Sequence, residues 1–310
     1  MTFRVITPVT VDDDVFVSST IPEPDTGETA WSDATTYSTA DVIYYTNHKR
    51  YESLIDSSLD NLPDAEIQND PDTPPTKWLE LGYTNRWKMF DLLRNVKSEG
   101  DSPMEIVLEP GQRINAIGLF GVEADNLTIT LEVGEEEVYS YTENLNTRNV
   151  EDWVDYFFEP FTQRPSAAVF DVPPYSTAQV IITLESSTGT VRIGSLVVGN
   201  STNIGDVMYG AESDVMNFSR IDRAFDGTSL LLPRRSVPKT VQRIIIEKNR
   251  VNVARSLRKS LNATPAVWAG IDQTDDEYFE SLLILGIYKR FSINLDHPTA
   301  AIIDLEIEEI

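Results

Sequence analysis

Alternation with a period of two is the feature that most restricts this chain. In NLTITLEV, Leu127, Ile129, Leu131 and Val133 take every second position between polar residues. A strand sends successive side chains to opposite faces, so this spacing describes a strand with one face buried. The ending AAIIDLEIEEI repeats the pattern, with Ile303, Leu305 and Ile307 on one side and Asp304, Glu306 and Glu308 on the other. AQVIITLESSTGTVRIGSLVVG reads as two strands joined by Ser-Ser-Thr-Gly, and TVQRIIIEK and ESLLILGIYKRFSINL as further strands. Many short strands broken by Gly, Pro and Asn indicate a β-sandwich. The best helix candidate is RVNVARSLRKSLN at 250–262, where Val253, Leu257 and Leu261 stack at i, i+4 and i+8 and Pro265 stops the run. No internal repeat is visible.

At 310 residues the chain is long enough for two or three cores. Composition divides it into four parts. Residues 1–25 start with alternating Phe3 and Val5, pass into IPEPDTGE, and read as a short strand or arm followed by a linker. Residues 26–96 are dense in aromatics and hold the polar, proline-rich stretch NLPDAEIQNDPDTPP. Residues 97–200 read as the β-sandwich, in which WVDYFFEPF at 153–161 is an aromatic cluster expected in a core or between domains. Residues 201–310 read as a C-terminal β-rich domain holding the short helix. The expected fold class is therefore mainly β: a small aromatic β module, a β-sandwich and a β-rich C-terminal domain.

Charge and rare residues narrow the chemistry. Fifty Asp and Glu against 25 Lys and Arg give a net charge of −25, which disfavours nucleic acid as a partner because phosphate binding needs a basic surface. Without cysteine there are no disulfides, thiol nucleophiles or thiolate metal sites. The two histidines, His48 in TNHKR and His297 in LDHP, read as solvated turn residues, and no G-x-S-x-G elbow is present. Asp12-Asp13-Asp14 and Asn69-Asp70-Pro71-Asp72 are fragments of calcium-loop spacing without its full frame, and read as turns. No Gly-rich phosphate loop appears. Carboxylate pairs for glycoside hydrolysis abound without one standing out. No catalytic residue, metal or cofactor is expected. No secretory signal or membrane-length apolar run is seen, so synthesis in a cytoplasm and no membrane insertion are expected.

Two constellations remain. Between residues 234 and 259 lie Arg234, Arg235, Lys239, Arg243, Lys248, Arg250, Arg255, Arg258 and Lys259 against the single acid Glu247, a local +8 that leaves −33 for the remainder. This stripe reads equally as a docking segment for an acidic patch on a neighbouring subunit, or as a helix's polar face plus a charge-guarded edge strand; nucleic acid ranks below both. The second constellation is the aromatic module. Sugars stack their C–H faces on aromatic rings, yet a small module without disulfides also needs large side chains to fill its core, so both roles stay open for each ring.

AWSDATTYSTADVIYYTNHKRYESL followed by DPDTPPTKWLEL resembles the small chitin-binding-type modules of chitinases and related carbohydrate-active enzymes. The matching positions are Ala30-Trp31, Tyr37, Ile43, Tyr45, Tyr51, Pro71, Pro74 and Trp78 over roughly 50 residues. Ala40 stands where that pattern has Gly, and the turn carrying Asn47-His48 is one residue longer. The resemblance implies glycan contacts from Trp78, Tyr45 and Tyr51, with Trp31 a weaker candidate. LGYTNRWKMFD, DWVDYFFEPF, VPPY and NATPAVW with the closing strands together resemble a family of tailed-bacteriophage virion proteins, in which a carbohydrate-binding-like module joins β-rich domains at the tail tip or baseplate. That implies a non-enzymatic, homo-oligomeric part of the virion tail. Its partners would be other phage tail proteins and a host cell-surface glycan. The alternatives are an assembly adaptor that binds no sugar and, further off, a polysaccharide-degrading enzyme. Trp87 lies outside the chitin-binding pattern and reads as packing between modules.

Overall fold

The computed structural model describes all residues except 1, 26–27, 57–58, 60, 67, 69–73, 95, 149, 224 and 296. The chain is mainly β. It forms a small four-stranded module, a sandwich, and a closed ring of strands that shares a wall with the sandwich. Among the described residues no helix is long and apolar enough to cross a membrane.

The small module orders its strands as Thr29–Ala30, Val42–Tyr44, Lys49–Ser53 and Trp78–Tyr83, the first pair parallel and the others antiparallel. Tyr37, Ile43, Tyr51 and Trp78 fill its core. The stretch leading into its last strand is held by one carboxylate: Glu66 accepts from the Thr76 and Lys77 amides at 2.9 and 2.8 Å and from the Thr76 hydroxyl at 2.6 Å. Pro71 and the Asn69–Asp72 fragment lie outside the described residues.

The sandwich has a five-stranded sheet in the order Glu136–Asn144, Asn126–Val133, Gln179–Glu185, Met104–Leu108, Phe16–Ser19. It packs on Ser166–Phe170, Ala116–Phe120 and the first half of Ser195–Val207, and the core between the layers is continuous. Leu127, Ile129 and Leu131 point into that core, as their alternation requires, and Val133 packs at its edge. The strands on either side of Ser-Ser-Thr-Gly do not pair with each other. Gln179–Glu185 joins the five-stranded sheet, while Thr190–Ile193 pairs with Ser98–Asp101.

Ser195–Val207 is the shared wall. Its end pairs with Ser236–Glu247 through Asp206–Ile245 and Val207–Ile244, which closes a ring with Thr2–Pro8, Ala266–Ala269, Leu283–Asn294 and Ala300–Glu309. Closure brings backbones very close at Gly205, where a Cβ would collide with the Ile245 carbonyl, so no other residue fits. The ring's interior holds Phe3, Val5, Ile204, Ile244, Trp268, Ile303, Leu305 and Ile307. The buried Trp268 indole donates to the Gly286 carbonyl at 2.9 Å. One continuous sheet thus draws on both 97–200 and 201–310, and the boundary drawn at residue 200 falls inside a strand.

Three other expectations change. Of the strand or arm expected at the start, residues 2–8 form the strand, and an internal one, between Ser195–Val207 and Ala266–Ala269 with Phe3, Val5 and Ile6 buried. Ile6 breaks the alternation because both faces of this strand are covered. The helix spans Val251–Ser260 and buries Ala254, Leu257 and Leu261; Val253 is exposed. Both stripes contain Leu257 and Leu261, and the ring admits the smaller Ala254 where the helix presses closest. The cluster at 153–161 lies in no core at all.

Candidate functional site

The four rings proposed for sugar contact gather in one place, but as packing. Trp78 is 0% exposed, stands edge-on to Tyr37 at 5.4 Å, and donates its indole N–H to the Asn61 carbonyl at 3.0 Å. Tyr51 is 1% exposed and its hydroxyl accepts from the Asn47 amide at 2.8 Å. A sugar needs a free ring face, and neither residue has one, so both are removed from the glycan set. Trp31 and Tyr45 are half-buried at the core's margin, edge to face at 5.4 Å.

His48 is not a solvated turn residue. Its ring stacks on Trp87 at 4.0 Å between centroids, with Nδ1 3.0 Å from Glu23 and Nε2 2.8 Å from Asp13. Glu23 also accepts from the Thr84 hydroxyl at 2.6 Å and the Trp87 indole at 3.1 Å, with Arg86 at 3.6 Å. Trp87 in turn packs on Phe16 and Phe90. This cluster fastens the small module to the sandwich, and Trp87 fills the inter-module position read for it. Sequence alone could not place His48, because its partners lie 25 and 35 residues away. Among the described residues no group of three or more His, Asp or Glu is placed to hold a metal ion.

The basic segment finds its acids inside the same chain. Ser236–Glu247 runs beside Ala300–Glu309, so Lys239 meets Glu306 at 2.6 Å and Arg243 meets Asp304 at 3.1 Å. Arg235 reaches the buried Glu309 at 2.8 Å, which Arg94 holds from the other side at 2.7 Å. Arg250 and Arg258 donate to the Asn203 and Phe291 carbonyls. Arg234, Arg255 and Lys259 face solvent without an acidic partner among the described residues. Of the nine cations between 234 and 259, three thus meet acids and two meet carbonyls within the fold, and the exposed Lys248 joins Arg234, Arg255 and Lys259 in having no acidic partner among the described residues.

The fold also leaves two apolar surfaces uncovered among the described residues. Asn146–Thr147 and Thr162–Gln163 pair as a two-residue neck. Beyond it stands a helix, Trp153–Phe158, capped by Asp152 and Asp155, which accept reciprocally from each other's backbone. The cap fixes the helix, yet no residue of it is buried: Trp153, Phe157 and Phe158 are 77, 69 and 80% exposed. Arg148 sits over the Tyr156 and Phe161 rings at 4.8 and 4.9 Å and props the base of this projection.

A second projection extends the pair Glu212–Asn217 and Ser236–Glu247 outward as a ribbon, Arg220–Arg223 against Ser229–Leu232. Ile221 lies opposite Leu231, and Leu230 opposite Asp222. Alternation then puts Ile221 and Leu231 on one face and Leu230 and Leu232 on the other, all exposed together with Phe218 and Phe225. A two-stranded ribbon is marginal alone in water, and one with apolar residues on both faces lacks covering layers. At the opposite end of Glu212–Asn217 from the ribbon opens a cavity of about 480 Å³ lined by Val207, Ala211, Ile271, Tyr278 and Leu282.

Neither projection was found from sequence as a site. WVDYFFEPF has apolar residues on every side of a short helix, so it has no stripe to mark a buried face. That lack of a stripe was the available signal. No family model matches this chain, and no curated protein and no solved structure matches it.

Proposed function

We propose that this chain is a non-enzymatic structural subunit that works by docking through its two apolar projections, and that it oligomerises. The tail apparatus of a tailed bacteriophage is the assembly its sequence resembles, and the reading that fits best is the adaptor role in which the small module binds no sugar. The observation that carries it is the pair of exposed projections. Large contiguous apolar patches are rare on monomers and mark interaction sites. Here they stand on elements with local anchoring, a capping box and a hydrogen-bonded ribbon, which hold them in place for a partner. The small module contributes a packed core and a fastened hinge.

The test is the mass of the purified chain in solution. The wild type is expected as a multiple of the chain mass, and the triple variant Trp153→Ser, Phe157→Ser, Phe158→Ser as a monomer with an unchanged circular dichroism spectrum. A wild type that stays monomeric at high micromolar concentration overturns the reading.

A further inference from the structure

We infer that the aromatic projection of one copy docks against the apolar ribbon of a second copy of this chain. This rests on the subunit reading above and names its partner.

The two projections are complementary in charge. Residues 150–161 carry Glu151, Asp152, Asp155 and Glu159 and no basic residue. The ribbon and its flanks, 217–235, carry Arg220, Arg223, Arg234 and Arg235 against Asp222 and Asp226. Arg220 is paired with Asp222 at 2.7 Å and Arg235 with Glu309, while Arg223 and Arg234 are exposed without an acidic partner among the described residues. On a chain of net −25, the ribbon is a locally positive apolar surface, and the projection is an apolar surface carrying four acids against the single Arg148 that packs on its Tyr156 and Phe161 rings. Two projections of the same kind would bring like charges together; one of each brings opposite charges together around two apolar faces.

Their shapes differ in the same complementary way. The ribbon is a two-stranded surface with apolar residues on both faces, and the projection is a narrow helix with protruding rings. Both lack a covering layer among the described residues. A contact between unlike patches adds subunits head to tail, into a ring where the rotation closes and a filament where it does not.

The absence of cysteine makes cross-linking unambiguous. Phe158→Cys and Leu231→Cys are made separately, both at exposed positions, and one is carried on a tagged chain so that the two can be told apart. Mixed and mildly oxidised, they are expected to give a dimer containing one chain of each, while neither variant alone gives a dimer above background. Reversal of the two unpartnered charges, Arg223→Glu with Arg234→Glu in the Leu231→Cys chain, is expected to lower the mixed yield about tenfold. Dimers formed by Leu231→Cys alone or by Phe158→Cys alone, as efficiently as by the mixture, overturn the inference, and so does a mixed yield that ignores charge reversal. Wild-type mass separates the two claims. An oligomeric wild type with self-paired cross-links sinks only the unlike pairing; a monomeric wild type sinks the subunit reading as well.

Discussion

The small module and the projection at 153–161 are both dense in aromatic residues, and their rings meet opposite fates. In the module, Trp78, Tyr51 and Tyr37 pack into one core, and each polar tip finds a partner. In the projection, a two-residue neck carries the helix away from the body, and Trp153, Phe157 and Phe158 meet solvent. Aromatic content therefore does not reveal role. What decides is whether the chain returns to cover the rings. In the module Tyr37 comes back against Trp78 and the Asn61 carbonyl takes its indole N–H, and in the projection nothing returns among the described residues.

The sharpest way to break this comparison is to delete one ring from each region. Trp78→Ala is expected to destabilise the small module by about 3–5 kcal/mol, the range for emptying a buried aromatic site. Limited proteolysis within 55–77 and chemical denaturation would read it. Trp153→Ala is expected to leave the fold within about 0.5 kcal/mol of the wild type, as exposed substitutions do. Equal stability losses at the two positions would show that the projection is packed in solution and the contrast is wrong.

The contrast also marks how far the sequence could be read. Period-two spacing located the strand interiors, and Leu127, Ile129, Leu131, Ile303, Leu305 and Ile307 are buried where it put them. It could not say which strands meet. Residues 2–8 pair with Ser195–Val207 and Ala266–Ala269, and no local pattern encodes a neighbour some 200 residues away. The helix face moved by one residue, from Val253 to Ala254, because the apolar stripe was chosen by size and the ring selects by space. For the site, the sequence locates both aromatic regions; it leaves the module's rings open between core and glycan contact, with the resemblance pointing to Trp78, Tyr45 and Tyr51 as contacts, and it predicts the 153–161 cluster in a core or between domains. Hydrophobic content predicts burial only when a covering partner exists, and a partner in another molecule leaves no mark on the pattern. The basic segment reads equally as docking or as a charged polar face, and strand pairing accounts for part of it: Arg235, Lys239 and Arg243 meet acids of the final strand, which no local pattern could show.

The buried side of the comparison reaches into the segment joining module and body. Asp91 follows the short turn Lys88–Phe90 and accepts from the Leu93 amide at 2.7 Å. Burial outweighs that hydrogen bond and raises its carboxyl to about 6. A carboxyl raised in the folded state favours the protonated form there, so its contribution to stability is complete at low pH, below the unfolded value near 3.8. It is lost as pH rises through about 6. Asp91→Asn keeps the acceptor for Leu93 and removes the titration. The variant is expected to gain on the order of 1 kcal/mol over wild type at pH 7.5, with the advantage growing between pH 4 and 6 and constant above. Denaturation midpoints across that range check it, and parallel curves would show that the carboxylate is solvated and this joint is open.

The smallest effect tests whether the module's backbone follows the pattern its sequence resembles. Ala40 has φ +72°, in the left-handed region, and its amide donates to the Ser53 carbonyl at 2.9 Å. That is the position at which the chitin-binding-type pattern carries Gly. An L side chain in this region crowds the following carbonyl at a cost of about 1–2 kcal/mol, and glycine removes that crowding. Glycine also adds freedom to the unfolded chain, which returns part of the gain. The side chain is exposed, so no packing is lost. Ala40→Gly is thus expected to stabilise the module by about 0.5 kcal/mol, against a loss of similar size for the same substitution at an ordinary strand position. The sign is the informative part. A destabilised variant would mean that residue 40 leaves the left-handed conformation in solution, and the turn leading into Val42–Tyr44 would then owe nothing to the geometry that the pattern's glycine serves.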